Sequence, residues 1–304
     1  MSDRISYDNT VRTKYMKGMM VSPIAFKIGA NITKAMLLEV TASPKPGLVD
    51  RFNSGAHKDM DIFTYMISTA TISHYMAIAA QVAIDHRGDL IDLLPKIRSI
   101  GLTAEEEMLL ATNNVNTQKG LIFSGMLIAA ATGYLSTHET GTPKIQRILT
   151  IVREITKGIV ERELLQMNKD EQKITAGEWI FLELGITGIR GEAEKGFPNA
   201  EGAYLVIKKA LERNITLEKG MIMALLFLMT RVDDTNILAR HGSDVLTWVR
   251  KEANDLVLSD DAYSDTWLDR VYKLDNEFIE QHVSPGGCAD LLSVAVMLHF
   301  VTQE

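Results

Sequence analysis

The 304 residues suffice for a large buried core, and 46% hydrophobic with 23% charged residues is the composition of a globular chain rather than a disordered one. A net charge of −7 gives no electrostatic help toward nucleic acid or an anionic membrane, so neither is expected as a partner. The single cysteine, Cys288, excludes an intramolecular disulfide. Residues 1–20 are polar and mixed in charge and lack an apolar stretch of signal-peptide length. The longest apolar run, 221–229, is too short to span a bilayer. A cytoplasmic protein is expected.

Apolar residues recur at helical spacing almost throughout, and no alternating strand is visible. In chain order the pattern predicts helices over 24–40, 62–84, 104–110, 120–135, 144–166, 200–213, 217–229, 244–254, 262–280 and 289–301. Pro95, Pro143, Pro198 and Pro285 fall between or at the starts of these segments. The expectation is all-α: a single compact multi-helix domain of about ten helices over 21–304. Residues 1–20 would be an N-terminal arm, either loose or packed on a partner subunit.

Polar and glycine residues concentrate at five breaks between helices. The first, 39–61, carries Pro44, Lys45, Pro46, Gly47, Asp50, Gly55, His57, Asp59 and Asp61. Prolines stiffen the backbone and glycines admit positive φ. Such a loop suits a cation and a phosphorylated ligand; a polar surface loop is the competing reading. The second, Asn113 to Gly120, holds three asparagines and Lys119 before an apolar helix. Amides at a helix start attract anions, although Asn and Thr also serve as plain caps. The third places Gly185, Gly188, Gly191 and Gly196 among Arg190 and Lys195, which suggests backbone around a phosphate. It is neither a Walker loop nor a Rossmann fingerprint, and a flexible connector is the alternative.

The fourth, Thr230 to Asn236, follows a buried apolar run with Asp233-Asp234. Adjacent carboxylates there call for pairing or a metal, and oxygen ligands of this kind suit Mg²⁺. A solvated helix cap is the alternative. The fifth, Ser284-Pro285-Gly286-Gly287-Cys288-Ala289-Asp290, opens the last helix. Cys288 reads as a packing residue. His57 is the one histidine inside a polar cluster.

These segments, in this order, closely resemble the triphosphoribosyl-dephospho-coenzyme A synthase family, which serves citrate lyase and has relatives serving malonate decarboxylase. The resemblance rests on Glu39-Val40 with Pro44-Lys45-Pro46-Gly47-Leu48-Val49-Asp50, then Gly55, His57 and Asp59-Met60-Asp61. It continues through Asn116-Thr117 with Lys119-Gly120, and Gly188-Ile189-Arg190-Gly191-Glu192-Ala193 with Gly196-Phe197-Pro198. Asp233-Asp234-Thr235-Asn236, Arg240, Gly242, and Ser284-Pro285-Gly286-Gly287 with Ala289-Asp290-Leu291-Leu292 complete it. One departure is Gln118, where the family pattern leads us to expect His.

The resemblance implies a pentosyltransferase with ATP as sugar donor and 3′-dephospho-coenzyme A as acceptor. The acceptor's 2′-hydroxyl attacks the anomeric carbon, adenine leaves, and the triphosphate stays on the transferred ribose. The product would pass to the apo acyl-carrier protein pathway. Mg²⁺ is the cofactor implied, and a homodimer is an open assembly. On this reading Asp50, Asp59, Asp61, Asp233 and Asp234 supply metal ligands and one general base. Lys45, Lys119, Arg190 and Lys195 bind phosphates. His57 donates to a phosphate or toward adenine. Asn116, Asn236, Gly188, Gly191, Gly286 and Gly287 position the ligands. The runner-up is a Mg²⁺-dependent helical phosphohydrolase or prenyl-diphosphate-type enzyme using the Asp-Asp pair. A non-catalytic interaction protein is the third reading.

Overall fold

The computed structural model describes residues 20–165 and 174–303. The expected N-terminal arm lies outside them except for Met20. Among the described residues there are thirteen α-helices and no strand. They are α1 (Pro23–Thr41), α2 (Ile62–Ile84), α3 (Leu93–Ala111), α4 (Lys119–His138), α5 (Ile145–Thr156), α6 (Ala176–Leu184) and α7 (Gly188–Glu194). They continue with α8 (Pro198–Glu212), α9 (Leu217–Met229), α10 (Thr235–His241), α11 (Ser243–Val257), α12 (Asp265–Glu280) and α13 (Gly286–Val301).

All ten expected helices are present, and the short α6, α7 and α10 join them. Three boundaries differ for local reasons. The third helix begins at Leu93 rather than residue 104, because Pro95 falls in its first turn, where no intrahelical N–H is lost. The fifth stops at Thr156 instead of running to 166, with Gly158 at φ +73° just beyond it. The glycine-rich stretch after Gly185 was expected as a loop. Residues 188–194 instead form α7, and Gly196 at φ +76° and Phe197 at φ +53° turn the chain into α8.

The core follows from composition. α2, α4 and α13 are apolar around most of their circumference, and their buried residues include Ile72, Met76, Leu127, Ala130, Val294 and Leu298. A helix without a polar face must be covered on all sides. Accordingly α2 packs against α1, α3 and α4, while α13 packs against α1, α4, α8 and α9. α2 and α4 are long and apolar enough to cross a membrane, yet 67% and 72% of their apolar windows are buried, the pattern of core helices. Small residues set the approach. A Cβ on Gly29 would sit 2.8 Å from Ala77 Cβ, and one on Gly133 would overlap the Ala80 carbonyl oxygen. α1 and α2 therefore touch almost backbone to backbone, as do α2 and α4. Around this centre the amphipathic α5, α11 and α12 turn one face inward.

Candidate active site

The helix starts of α4, α7, α10 and α13 converge on one cavity of about 960 Å³. Asn116, Lys119 and Gly120 come from the start of α4. Thr187, Gly188, Arg190, Gly191, Glu192 and Lys195 come from α7 and its flanks. Arg231, Asp233, Asp234, Thr235 and Asn236 come from the turn into α10, and Gly287 and Asp290 from the start of α13. Three of the five polar segments, the second, third and fourth, thus meet in space with part of the fifth.

Local chemistry explains each position. Asp234 is fully buried and caps α10, accepting from the amides of Asn236 at 2.9 Å and Ile237 at 3.3 Å. It also accepts from the amide of Cys288 at 2.9 Å, which pins the start of α13 to the start of α10. Burial pushes its carboxyl above the usual range, against those three amides. Gly287 permits this approach, since a Cβ there would lie 3.0 Å from Asp234 Oδ2. Gly286 packs in turn on Asn236. Asp233 points the other way, to Arg250 at 2.6 Å. Asn116 Oδ1 accepts from the amide of Lys119 at 3.1 Å, capping α4. Gln118, the departure noted above, is buried; its Oε1 accepts from Ser68 Oγ at 2.7 Å and its Nε2 donates to Thr69 Oγ1 at 3.1 Å.

The cations on the wall fall into two groups. Lys119 is paired with Glu105 at 2.6 Å, and Arg190 bridges Glu163 at 3.0 Å and Glu178 at 3.2 Å. Lys195 and Arg231 carry no ion pair among the described residues; Arg231 lies over the Phe227 ring at 4.7 Å. Six carboxylates line the cavity: Glu105, Glu178, Glu192, Asp233, Asp234 and Asp290. Five have partners. Glu192 accepts from the Asn199 side-chain amide at 2.6 Å, and burial raises its carboxyl. Asp290 alone has neither hydrogen bond nor ion pair among the described residues. Its Oδ2 lies against the Cα of Gly120, where a Cβ would overlap it.

The first polar segment, 39–61, is not gathered into this cavity. Lys45 is 2% exposed and donates to Glu39 at 2.7 Å in a buried ion pair, off the cavity wall. Asp50 is buried and organises its own loop, accepting from Ser43 Oγ and from the amides of Phe52 at 2.7 Å and Asn53 at 3.0 Å. Asp275 of α12 fastens that loop through the Gly47 amide and Asn53 Nδ2, both at 2.9 Å. Asp61 caps α2 with Thr64. His57 and Asp59 line a second, smaller hollow of about 280 Å³ with Lys58, Arg240 and His282. His57 Nε2 lies 2.8 Å from Ser284 Oγ and Nδ1 lies 3.6 Å from Asp59. Burial holds the His57 ring below its usual range, opposed by Asp59 and assisted by Arg240.

The five aspartates expected as metal ligands therefore do not converge. Asp50 and Asp61 hold local backbone, Asp59 lies on the second hollow, and Asp233 and Asp234 point apart. No group of three His, Cys, Asp or Glu residues suited to a metal occurs among the described residues. The reason is that backbone amides and buried partners compete for these carboxylates, which a linear pattern does not reveal. Sequence reasoning gave no role to Asp290 or Arg231. The signal for Asp290 was a lone acid in the otherwise apolar stretch 286–298.

The two hollows are close. Asn236 lines the large one and Arg240 the small one, four residues apart on α10, or about 6 Å of helical rise. An all-helical scaffold with a nucleotide-sized cavity walled by cations and carboxylates is a helical enzyme of nucleotide chemistry. The model of the ATP:dephospho-CoA triphosphoribosyl transferase family, CitG, matches residues 25–304, and the chain belongs to that family. It is similar to a probable 2-(5″-triphosphoribosyl)-3′-dephosphocoenzyme-A synthase of Malonomonas rubra, 37% identical over 286 residues, or 93% of this chain and 90% of the relative. A protein of the same description from Citrobacter koseri is 38% identical over 285 residues, 89% of each chain. No solved structure matches. Of the readings weighed from sequence, the transferase is the one the family supports, ahead of the phosphohydrolase or prenyl-diphosphate alternative.

Proposed function

We propose that the large cavity holds ATP while its ribose is transferred to the 2′-hydroxyl of 3′-dephospho-coenzyme A. The carrying observation is that Lys195 and Arg231 stand on its wall without ion pairs, while Asp290 stands there as an acid without a partner. Free cations are available to a triphosphate, since charge-assisted contacts to phosphate are the strong ones. Lys119 and Arg190 support the wall through Glu105, Glu163 and Glu178 and reach phosphate only by exchanging partners. The second hollow, with Lys58 and Arg240 unpaired and His57 beside them, takes the phosphates of dephospho-coenzyme A.

Mg²⁺ would arrive with the nucleotide. The donor set fits that role and not a resident cage, because Mg²⁺ commonly takes one or two carboxylates plus phosphates and keeps water. Asp233, half-exposed on the wall, would hold it by exchanging its Arg250 partner for the ion. Bound there, the ion supplies charge neutralisation of the triphosphate. The product then passes to the acyl-carrier protein pathway in the cytoplasm, a compartment that suits the single, buried Cys288 thiol. A homodimer is supported by exposed Phe63, Met66 and Ile67 on one face of α2, and light scattering tests it.

Incubation with Mg²⁺, ATP and 3′-dephospho-coenzyme A, read by mass spectrometry, tests the reaction. Free adenine and a triphosphoribosyl adduct are expected. ADP or inorganic phosphate in their place overturns it.

A further inference from the structure

Breaking the bond between ribose C1′ and adenine N9 leaves an electron pair on a poor leaving group. The site therefore needs a proton donor toward the adenine ring. The wall offers six carboxyl groups, and five are committed. Glu105 is tied to Lys119, Glu178 to Arg190, Glu192 to Asn199, Asp233 to Arg250, and Asp234 to three backbone amides. Asp290 faces the cavity with both oxygens unshared among the described residues.

We propose that Asp290 is the catalytic acid that protonates the departing adenine. The assignment rests on the transfer reaction proposed above. In the step, the C1′–N9 bond breaks and its pair passes to the ring, and the Asp290 carboxyl proton goes to a ring nitrogen. The 2′-oxygen of dephospho-coenzyme A forms the new bond to C1′ and releases its proton to solvent, and water reprotonates Asp290. Adenine leaves neutral, and no other reactant is consumed.

Three features hold the proton on Asp290 until it is needed. Its surroundings are negative: Glu39 of α1 and Asp234 before α10 both act on it. The nearby cations are engaged, Lys45 by Glu39 and Lys119 by Glu105. The other titratable groups facing it, Tyr65 of α2 and Cys288 of α13, are both pushed up by burial and stay neutral. A carboxyl partly withdrawn from water and beside like charges favours its neutral form. Burial first, then Glu39 and Asp234, push Asp290 up to about 8. A carboxylic acid kept protonated at neutral pH is a proton donor by construction.

The test compares two leaving groups in Asp290→Asn and wild type. With ATP the variant should lose roughly a hundredfold or more in kcat, the scale of general acid catalysis. With the 5′-triphosphate of 4-nitrophenyl riboside, whose nitrophenolate needs no proton, the loss should be less than roughly tenfold. Equal losses with both substrates, or an undiminished variant, overturn the assignment. A second reading uses wild type alone, so variant folding does not matter. Its kcat with ATP should fall on an alkaline limb that the nitrophenyl substrate lacks; the same limb with both overturns the assignment. A wild type that releases no adenine overturns the reaction and the acid together, whereas an active wild type with an active variant overturns the acid alone.

Discussion

Asp290 rests on Gly120. The Asp290 carboxylate, just beyond the first turn of α13, occupies the space a Cβ at position 120 would fill, so two helix starts from distant parts of the chain meet at one side chain. Gly120→Ala tests whether this contact sets the acid's position. Alanine is the better helix former by up to about 1 kcal/mol, so α4 itself should not suffer. The carboxylate, however, must move. Turnover should fall by roughly tenfold or more, the equivalent of about 1.4 kcal/mol in the barrier, with a melting temperature close to wild type. Normal kcat in Gly120→Ala would show that the acid tolerates displacement.

The raised carboxyl of Asp290 also makes stability depend on pH. In the unfolded chain an aspartate titrates at about 3.9. In the folded protein Asp290 keeps its proton until about pH 8. Between these values the folded state binds a proton that the unfolded state lacks, so this group's contribution to stability falls as pH rises through that window. Asp290→Asn has no such proton to lose. Without ligands, the melting temperature of the variant relative to wild type should therefore climb from about pH 4.5 to about pH 8. A difference that stays constant, or shrinks with pH, contradicts the raised carboxyl.

Lys45 and Glu39 form a buried pair that is expected to carry structure. Both are buried, and the ammonium lies 2.7 Å from the carboxylate. Lys45→Ala leaves Glu39 uncompensated in a low-dielectric site, which typically costs about 3–5 kcal/mol. Replacing both partners, Lys45→Met with Glu39→Leu, should recover most of that loss, because apolar residues of similar volume replace buried ion pairs at little cost. Urea unfolding checks both. A Lys45→Ala variant of wild-type stability with weakened ATP binding would return Lys45 to the phosphate site.

Ten helices were legible, most of them because they bury a periodic apolar face, and α2, α4 and α13 because they are long apolar runs. α6, α7 and α10 were not, at seven to nine residues each. They are too short to show a face, and side chains cap the starts of only two of them, Thr175 for α6 and Asp234 for α10. The site was legible as five polar breaks, yet their roles were not. The segment 39–61 looks like a ligand loop because it is rich in charge. In the fold, Lys45 meets Glu39, Asp50 meets its own backbone, and Asp275 reaches in from α12. Whether a charged side chain faces a ligand or a buried partner is decided by how the loop folds back on α1 and on itself, and by Asp275 some two hundred residues away. Asp290 was passed over for the opposite reason: one acid in an apolar helix looks minor until Gly120 is seen beneath it.

The two cation sets should separate the two substrates. Lys195 and Arg231 stand on the large cavity, Lys58 and Arg240 on the small one, and none has an ion pair among the described residues. Each is exposed, so truncation to alanine should change stability by no more than about 0.5 kcal/mol. A contact to a charged group contributes about 1.5–3 kcal/mol, enough to shift an affinity tenfold or more. Lys195→Ala and Arg231→Ala should raise KM for ATP by roughly tenfold and leave KM for dephospho-coenzyme A within about twofold. Lys58→Ala and Arg240→Ala should do the reverse. Steady-state kinetics with each substrate varied in turn reads the split directly. If Arg240→Ala raises KM for ATP, or if all four variants weaken both substrates alike, the hollows do not divide the substrates, and the triphosphate must lie across α10 instead of within the large cavity.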